Sequence, residues 1–256
     1  MDMSIIAKMI LTVNQKEVIT LKKKHWILIA VIGAVLLIAA AVVLFGFVLP
    51  QQKKQQEWDA MVAAYRAEKL SQYEQENAQY QDYEVQVAFL GDSLTDGYDL
   101  EKYYPQYLTV NRGIGGDTTF TLEERLQTSV YDLKPQVAVL LIGANNMDTM
   151  FDNYEDILIG LKTNLPDTKI ILLSLTSMGG DSWGPKNQLA AYNNVTIRLL
   201  ADKYGFTFVD LYTPLYDVAT RQVREGYTSD GGHLTHEGYT VVTAQITPVL
   251  ATLLDQ

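Results

Sequence analysis

The hydrophobic pattern separates one long apolar segment near the N-terminus from a longer region of alternating runs. The apolar segment, Trp26–Leu49, has 24 residues and no charged side chain. At 1.5 Å per residue, about 20 helical residues cross the ~30 Å hydrocarbon core of a bilayer. A cleaved signal peptide has a shorter apolar region followed by a small-residue cleavage site, whereas this run ends in FVLPQQ. The segment, residues 26–49, is therefore predicted to be an uncleaved transmembrane signal anchor.

The charges beside the anchor predict its orientation. Residues 1–25 carry five Lys, including the cluster Lys22–Lys24, against Asp2 and Glu17, which gives this segment a net charge of +3. Because positively charged flanks stay in the cytoplasm, residues 1–25 are expected to be cytoplasmic and the chain after the anchor extracytoplasmic. The whole chain has a net charge of -10 and no cysteine. An acidic, cysteine-free exported domain suits the outer face of a Gram-positive-type bacterium.

The segment after the anchor, residues 50–83, is rich in Gln, Glu, Ala, Lys and Tyr and has no Gly. Trp58, Met61 and Tyr65 recur at a helical spacing, which favours a helical stalk. A solvated linker that is only partly helical fits this composition equally well. A globular domain is predicted to follow over residues 84–256.

Short apolar runs alternate with helix-like segments in this globular region. The strand-length runs are Val85–Leu90, Leu108–Val110, Val137–Ile142, Lys169–Leu175 and Phe206–Leu211. The helix-like segments are Thr121–Leu133, Tyr154–Leu165, Gln188–Tyr204 and Glu237–Leu254. Such alternation predicts an α/β domain whose parallel sheet is covered by helices on both faces. Because ligands bind beyond the carboxyl ends of such strands, the residues after each run are the candidate site.

Three short polar motifs follow the first three runs, and a fourth stands just before the last helix. They are Gly91-Asp92-Ser93-Leu94-Thr95, Asn111-Arg112-Gly113-Ile114-Gly115-Gly116-Asp117-Thr118, Gly143-Ala144-Asn145-Asn146 and Asp230-Gly231-Gly232-His233. Each motif by itself is an ordinary turn or helix cap. Their joint placement at one edge of one sheet favours a functional site.

Together these motifs contain the parts that a serine acyl-transfer enzyme needs. Ser93 is the candidate nucleophile, and its hydroxyl requires a base to remove the proton. His233 is the candidate base, and Asp230 could orient the imidazole if the turn between them is helical. The backbone N–H groups of Ser93 and Gly116 and the side-chain amide of Asn145 are candidate donors to an oxyanion.

The chain has only three histidines, His25, His233 and His236. His25 precedes the apolar segment, so the base is chosen between the other two by their spacing from Asp230. His236 is six residues from Asp230, and it is expected in the first turn of the last helix, with Thr235 as the N-cap. A metal site on Asp230, His233 and His236 is an alternative with ligand-like spacing. It would leave the serine and the asparagine amide without a role, so no metal and no cofactor are expected.

The motifs GDSLT, NRGIGGDT, GANN and DGGH, in this order on an alternating chain, resemble the SGNH (GDSL) hydrolase family over about residues 84–254. The resemblance implies a three-layer α/β/α sandwich with five parallel strands, of the flavodoxin-like kind. It also implies a catalytic triad and an oxyanion hole, whose residues are Ser93, Asp230 and His233, and Ser93, Gly116 and Asn145. The sequence is most similar to the platelet-activating-factor-acetylhydrolase-like branch, which implies short acyl groups. The family's third motif usually reads Gly-x-Asn-Asp, and here Asn146 replaces the Asp.

The expected function is hydrolysis of carboxylic esters of small molecules or glycans by an enzyme held at the membrane through one N-terminal helix. One alternative is an O-acyltransferase acting on a cell-wall or surface glycan, and another is a glycan-binding module without catalysis. Trp183 and Tyr98 could contact an acyl chain or a sugar, or they could simply cover the core. Nucleic acid is not expected as a partner, because the net charge of -10 offers no basic groove.

Overall fold

The computed structural model describes residues 23, 25, 26, 28, 32–39 and 41–255, with the backbone only at Trp58. Except for Lys23 and His25, the predicted cytoplasmic segment 1–25 lies outside these described residues. Five positions of the predicted anchor lie outside them as well: residues 27, 29–31 and 40. The chain divides into two compact units, one up to Met61 and one from Val62 onward.

The first unit is helical wherever it is described. A π-helical turn, Leu44–Val48, precedes helix α1, Leu49–Asn77, whose residues from Val62 onward belong to the second unit. Within the described residues, one helical stretch near the N-terminus, Ile32–Asn77, contains an apolar segment long enough to cross a bilayer. A membrane anchor and a signal sequence share this length and composition.

The second unit is built around a parallel sheet of five strands. The strands are β1 (Val87–Gly91), β2 (Thr109–Gly113), β3 (Val137–Leu141), β4 (Lys169–Leu173) and β5 (Thr207–Val209). Their order in the sheet is β2-β1-β3-β4-β5. Val87 pairs with Thr109 on one side and with Val137 on the other. Each predicted apolar run overlaps one strand, so the prediction of a five-stranded parallel sheet is confirmed.

Helices surround this sheet. They are α2 (Ser93–Asp96), α3 (Leu100–Tyr103), α4 (Thr119–Glu123), α5 (Tyr154–Asn164), α6 (Gly180–Trp183), α7 (Asn187–Tyr204), α8 (Tyr212–Leu215) and α9 (His236–Leu254). The four predicted helices correspond to α4, α5, α7 and α9. The first of them is shorter than expected, because α4 ends at Glu123 and a π-helical turn, Gln127–Tyr131, follows. A small antiparallel pair, β6 (Tyr216–Asp217) and β7 (Gln222–Val223), stands apart from the sheet.

Successive residues of the strands point to opposite faces, and each face has its own buried cluster. Ala88 and Leu90 of β1 lie in one cluster, with Ile157 of α5. Val87 and Phe89 lie in the other, with Val242 and Ile246 of α9. Because full burial of a side chain of this size contributes about 1.5–3 kcal/mol, these two clusters hold the three layers together. The expected α/β/α sandwich is thus confirmed.

The strand order fixes where a site can form. The chain passes from β1 to β2 on one side and then returns to place β3 on the other side of β1. The loops after β1 and β3 therefore diverge, which opens a crevice beyond the carboxyl ends of these two strands. Ser93 follows β1 and Asn145 follows β3, so the fold brings the first and third motifs to the same crevice.

Candidate active site

Ser93 stands at a tight turn between β1 and α2, where it is the first helical residue. Asp92 caps this helix, and its Oδ1 accepts a hydrogen bond of 3.0 Å from the backbone N–H of Leu94. Glycine is required at position 91, because a Cβ there would lie 2.2 Å from the carbonyl oxygen of Leu141. The N–H groups of a first helical turn have no acceptor within the helix, so the N–H of Ser93 can serve an oxyanion.

His233 lies between Ser93 and Asp230. Its Nε2 is 3.0 Å from Ser93 Oγ, and its Nδ1 is 2.7 Å from Asp230 Oδ2. An ionised carboxylate only accepts hydrogen bonds, so the ring proton is on Nδ1 and Nε2 accepts from the serine hydroxyl. The structure thus brings the three predicted triad residues together, in the arrangement that activates a serine for nucleophilic attack.

The Asp230 carboxylate is stabilised in its ionised form. Partial burial raises its pKa, but the backbone N–H and ring N–H of His233 and the N–H of Gly232 lower it by more. The net result is a pKa well below the usual range for aspartate. Asp230 therefore stays negative beside His233 and stabilises the imidazolium that forms when the ring takes a proton.

The turn that joins Asp230 to His233 is a bend rather than the helical turn expected from their spacing. Asp230 Oδ1 accepts hydrogen bonds from the backbone N–H groups of Gly232 and His233, at 2.9 and 2.7 Å, which leaves Oδ2 for the ring. Gly231 has a φ of +91°, and a Cβ there would lie 1.9 Å from the carbonyl oxygen of Gly179. The sequence Asp-Gly-Gly-His thus encodes a side-chain-capped bend packed against a neighbouring loop.

His236 takes no part in this arrangement. It is the first residue of α9, and the Thr235 side chain caps that helix by accepting from the N–H of Gly238, at 3.3 Å. Its ring hydrogen-bonds the Tyr103 hydroxyl and accepts from Lys102 Nζ at 3.3 Å. In the part of the chain that the structure describes, no group of three or more His, Cys, Asp or Glu side chains is placed to hold a metal ion.

The predicted oxyanion residues lie on two loops beside the serine. A Cβ on Gly115 would be 4.0 Å from Ser93 Cβ, so the loop that carries Gly116 passes alongside the nucleophile. Gly116 itself is exposed and has a φ of +83°, a backbone conformation that glycine adopts readily. Asn145 Nδ2 donates one hydrogen bond of 2.9 Å to the carbonyl oxygen of Asp117, which leaves its second N–H for a substrate.

Asn146, the departure from the family motif, has a structural role. Its Oδ1 accepts from the backbone N–H of Thr119 at 3.2 Å, and its Nδ2 donates to the Thr119 hydroxyl at 2.9 Å. These bonds join the loop after β3 to the start of α4. The amide of Asn145 is oriented by Asp117 instead, so it does not depend on an aspartate at position 146.

The family model for GDSL-like lipases and acylhydrolases matches residues 89–241, more than half of the chain. The chain belongs to this family. The predicted family and the predicted enzyme class, a GDSL-type hydrolase, are thereby confirmed. A comparison with curated proteins gives no match.

Solved structures with the same fold agree with this assignment. A candidate acylhydrolase of Bacteroides fragilis is 27% identical, with a TM-score of 0.64 over 72% of this chain and 96% of that one. A GDSL-like lipase of Bacteroides thetaiotaomicron is 25% identical, with a TM-score of 0.64 over 72% of this chain and 97% of that one. A Streptococcus pneumoniae protein named as a candidate platelet activating factor is 25% identical, with a TM-score of 0.64 over 78% and 99%.

Two residues that support this GDSL-like site, Asp117 and Arg125, were assigned no role from the sequence. Asp117 is fully buried, and its Oδ2 accepts from Arg125 Nε at 2.6 Å. Arg125 Nη2 also donates to the carbonyl oxygen of Gly91 at 3.0 Å, which ties the two loops around Ser93 together. No local pattern marks this pair, because Arg125 lies outside the four motifs and reaches Asp117 and Gly91 only through the fold.

The two aromatic residues considered for substrate contact have different surroundings. Trp183 is half-buried, and its ring meets the His233 ring edge-on, with centroids 5.9 Å apart. Tyr98 is buried, and its hydroxyl hydrogen-bonds those of Tyr104 and Thr243. Tyr98 is therefore a core residue, whereas Trp183 borders the site.

Asp92 is the buried acid of the GDSL motif. The residue is 1% exposed, and within the described residues its Oδ2 has no hydrogen-bond partner. Burial raises the pKa of Asp92 to about 7, although the N–H of Leu94 lowers it, and the negative charge of Asp117 adds to the rise. Because an unfolded aspartate titrates near 3.9, the folded protein retains a proton between these two pH values that the unfolded chain has lost.

This difference predicts how stability changes with pH. The contribution of protonated Asp92 to the free energy of unfolding is fully present below about pH 4, and it is lost as the pH rises to about 7. Asp92→Asn stays neutral and keeps an acceptor for Leu94. Between pH 5 and 8 the wild type should therefore lose about 2–3 kcal/mol more unfolding free energy than the variant. Chemical denaturation of both proteins at pH 5 and pH 8 measures this difference in unfolding free energy, because every other titrating group is present in both the wild type and the variant. Parallel pH dependences would show that Asp92 is already ionised at pH 5.

Proposed function

We propose that this GDSL-type hydrolase is a membrane-anchored, extracytoplasmic serine esterase that cleaves short-chain carboxylic esters through an acyl-enzyme on Ser93. The observation that carries the proposal is the hydrogen-bonded series from Ser93 Oγ to His233 Nε2, 3.0 Å, and from His233 Nδ1 to Asp230 Oδ2, 2.7 Å. The family supplies the reaction class, and these contacts supply a nucleophile, a base and an orienting carboxylate.

The proposed reaction has two halves. Ser93 Oγ attacks the acyl carbon while His233 Nε2 takes the hydroxyl proton, and the carbonyl oxygen becomes an oxyanion. The intermediate collapses by expelling the alcohol, which takes the proton from His233, and the acyl group remains on Ser93. Water then attacks the acyl-enzyme with His233 as base, and collapse releases the acid and restores Ser93. In both halves the oxyanion accepts from the N–H groups of Ser93 and Gly116 and from the Asn145 amide.

The preference for short acyl groups is supported by the similarity of the four motifs to the platelet-activating-factor-acetylhydrolase-like branch. The side chains of Asp230 and His233 are 47% and 45% exposed, which leaves the site open to a bulky alcohol group.

This preference predicts the outcome of an acyl-length series. The full-length protein is assayed with p-nitrophenyl esters from acetate to palmitate, and the rate of the Ser93→Ala variant is subtracted for each ester. We expect kcat/KM to be highest for acetate or butyrate and to fall as the chain lengthens, as the similarity to short-acyl enzymes implies. A kcat/KM that climbs steadily to palmitate would contradict the proposed acyl specificity.

The proposed location makes a separate prediction. The net positive charge of residues 1–25 favours their retention in the cytoplasm. Protease added to intact cells should therefore remove the GDSL-like domain and spare a tag placed at the N-terminus. A domain that is digested only after lysis would reverse the proposed orientation. A cell-bound protein that begins at or after Gln51 would show that the apolar helix is cleaved.

A further inference from the structure

One face of α1 packs on the loop that carries the proposed oxyanion glycine. The residues of this face are Val62, Tyr65, Arg66, Lys69 and Tyr73, which lie on one side of a helix by their spacing. All of them belong to the same compact unit as the sheet. They precede residues 89–241, so this helix is an addition to the part of the chain that the family model matches.

The first connection runs from Arg66 to the Asn145 amide. Arg66 Nε and Nη2 donate to Asp117 Oδ1 at 3.0 and 2.9 Å. The carbonyl oxygen of the same Asp117 accepts from Asn145 Nδ2 at 2.9 Å. Arg66 thus holds the residue that orients the proposed side-chain donor of the oxyanion hole.

The second connection runs from Tyr65 to the backbone next to Gly116. The Tyr65 hydroxyl donates to Asp96 Oδ2 at 2.6 Å, and the same oxygen accepts from the N–H of Gly115 at 3.0 Å. Burial and the hydrogen bond to Asp96 raise the pKa of Tyr65 to about 12, so the hydroxyl keeps its proton. Lys69 Nζ holds the other Asp96 oxygen, Oδ1, at 2.8 Å.

Gly116 is therefore held on both sides. Gly115 is tied to Tyr65 through Asp96, and Asp117 is tied directly to Arg66. A Cβ on Gly116 would lie 3.8 Å from Val62 Cγ1, so the helix also lies beside the glycine itself. Because oxyanion stabilisation requires donors fixed in position before reaction, these contacts bear directly on the rate.

We propose that Tyr65 and Arg66 are positioning residues for the oxyanion hole, so that the part of α1 from Val62 onward belongs to the catalytic unit. The inference rests on the proposed esterase function and adds to it a set of residues outside the family motifs. Asp117 connects Arg66 to Asn145: its side chain accepts hydrogen bonds from Arg66, and its backbone oxygen accepts one from the Asn145 amide.

The same helix offers a control that separates positioning from docking. Asn77 Nδ2 donates to the carbonyl oxygen of Thr128 at 2.7 Å, and Asn77 Oδ1 accepts from Arg112 Nη2 at 3.0 Å. These contacts hold the end of α1 on the domain without bonding to residues 115–117. Asn77→Ala therefore weakens the packing of the helix and leaves both connections to the oxyanion loop in place.

The test uses the full-length protein in detergent with p-nitrophenyl acetate. Arg66→Lys keeps the charge but loses the paired donors, and Tyr65→Phe removes a single hydroxyl. We expect Arg66→Lys to lower kcat by about 10- to 100-fold with KM nearly unchanged. The variant would displace an oxyanion donor, and such a donor stabilises the transition state rather than the bound substrate. Tyr65→Phe should change kcat in the same direction by a smaller factor. Asn77→Ala should lower the melting temperature and leave kcat close to that of the wild type.

A double-mutant cycle decides between positioning and general stability. Because Arg66 acts partly through the Asn145 amide, Arg66→Lys should lower kcat by a several-fold smaller factor when Asn145 is already alanine. The positioning role would be overturned if Arg66→Lys lowered kcat by the same factor in the wild type and in Asn145→Ala. It would also be overturned if neither Arg66→Lys nor Tyr65→Phe lowered kcat. If Arg66→Lys does not fold, Tyr65→Phe decides through its kinetic parameters, because Tyr65 acts on the backbone beside Gly116: a lower kcat with an unchanged KM supports positioning, and an unchanged kcat overturns it. Activity that survives Ser93→Ala would instead refute the esterase proposal, so the two failures are distinguishable.

Discussion

Replacement of Ser93 by alanine is expected to lower kcat by roughly 10⁴–10⁶-fold, because no other group can form the acyl-enzyme. His233→Ala should be as damaging, since the serine hydroxyl is a weak nucleophile until a base takes its proton. The two residues act as a unit, so the double variant should be little worse than either single variant. Steady-state hydrolysis of p-nitrophenyl acetate measures all three.

His236→Ala is the matched control for this prediction. His236 is three residues from His233, but its ring contacts Tyr103 and Lys102 rather than Ser93. Its replacement should keep kcat within about tenfold, which corresponds to about 1.4 kcal/mol in the barrier. An inactive His236→Ala beside an active His233→Ala would reject the proposed triad.

Loss of the Asn145 amide is expected to have the next largest effect. Asn145→Ala should lower kcat by about 10²–10³-fold, because one oxyanion donor contributes about 2.7–4 kcal/mol to transition-state stabilisation. KM should change little, since the donor acts mainly once the oxyanion has formed. The two parameters are separated by a full substrate titration of each variant.

Asn146→Ala tests whether the effect belongs to the donor or to the loop. This amide bonds to Thr119 and joins the loop to α4, so its loss should cost about 1 kcal/mol of stability for each bond removed. We expect a smaller loss of kcat than for Asn145→Ala. A change confined to KM in Asn145→Ala would place that residue in substrate binding instead.

The sheet, and the edge of the sheet that carries the candidate site, could be predicted from the sequence because both depend on local and periodic patterns. Val87–Gly91 and Val137–Leu141 are continuous apolar strands, as expected for a sheet buried on both faces. The residues after them could then be placed at one crevice from topology alone. The pairing of Asp230 with His233 was also anticipated, but from a helical turn, whereas the structure forms it through a bend that the Asp230 side chain caps.

The docking of α1 could not be predicted in the same way. The spacing of Tyr65 and its neighbours indicates a helix, but it does not specify what the helix contacts. Arg66 and Asp117 are separated by 51 residues, and their contact depends on the tertiary fold. The globular domain is predicted from the sequence to begin at Glu84, and the compact unit of the structure begins at Val62. The charged and tyrosine side chains of α1 are typical of a solvent-exposed helix. In the structure, however, Tyr65 and Arg66 form hydrogen bonds to Asp96 and Asp117.

The measurement that tests the central claim most directly is mass spectrometry of the full-length protein after reaction with a fluorophosphonate. Ser93 Oγ attacks phosphorus and expels fluoride, and the product is a stable adduct in place of the acyl-enzyme. The account predicts one adduct, on the peptide that contains Ser93, formed in proportion to the loss of esterase activity. His233→Ala should form it far more slowly, because the serine is no longer activated. Full inactivation with Ser93 unmodified, or full activity with Ser93 modified, would contradict the account.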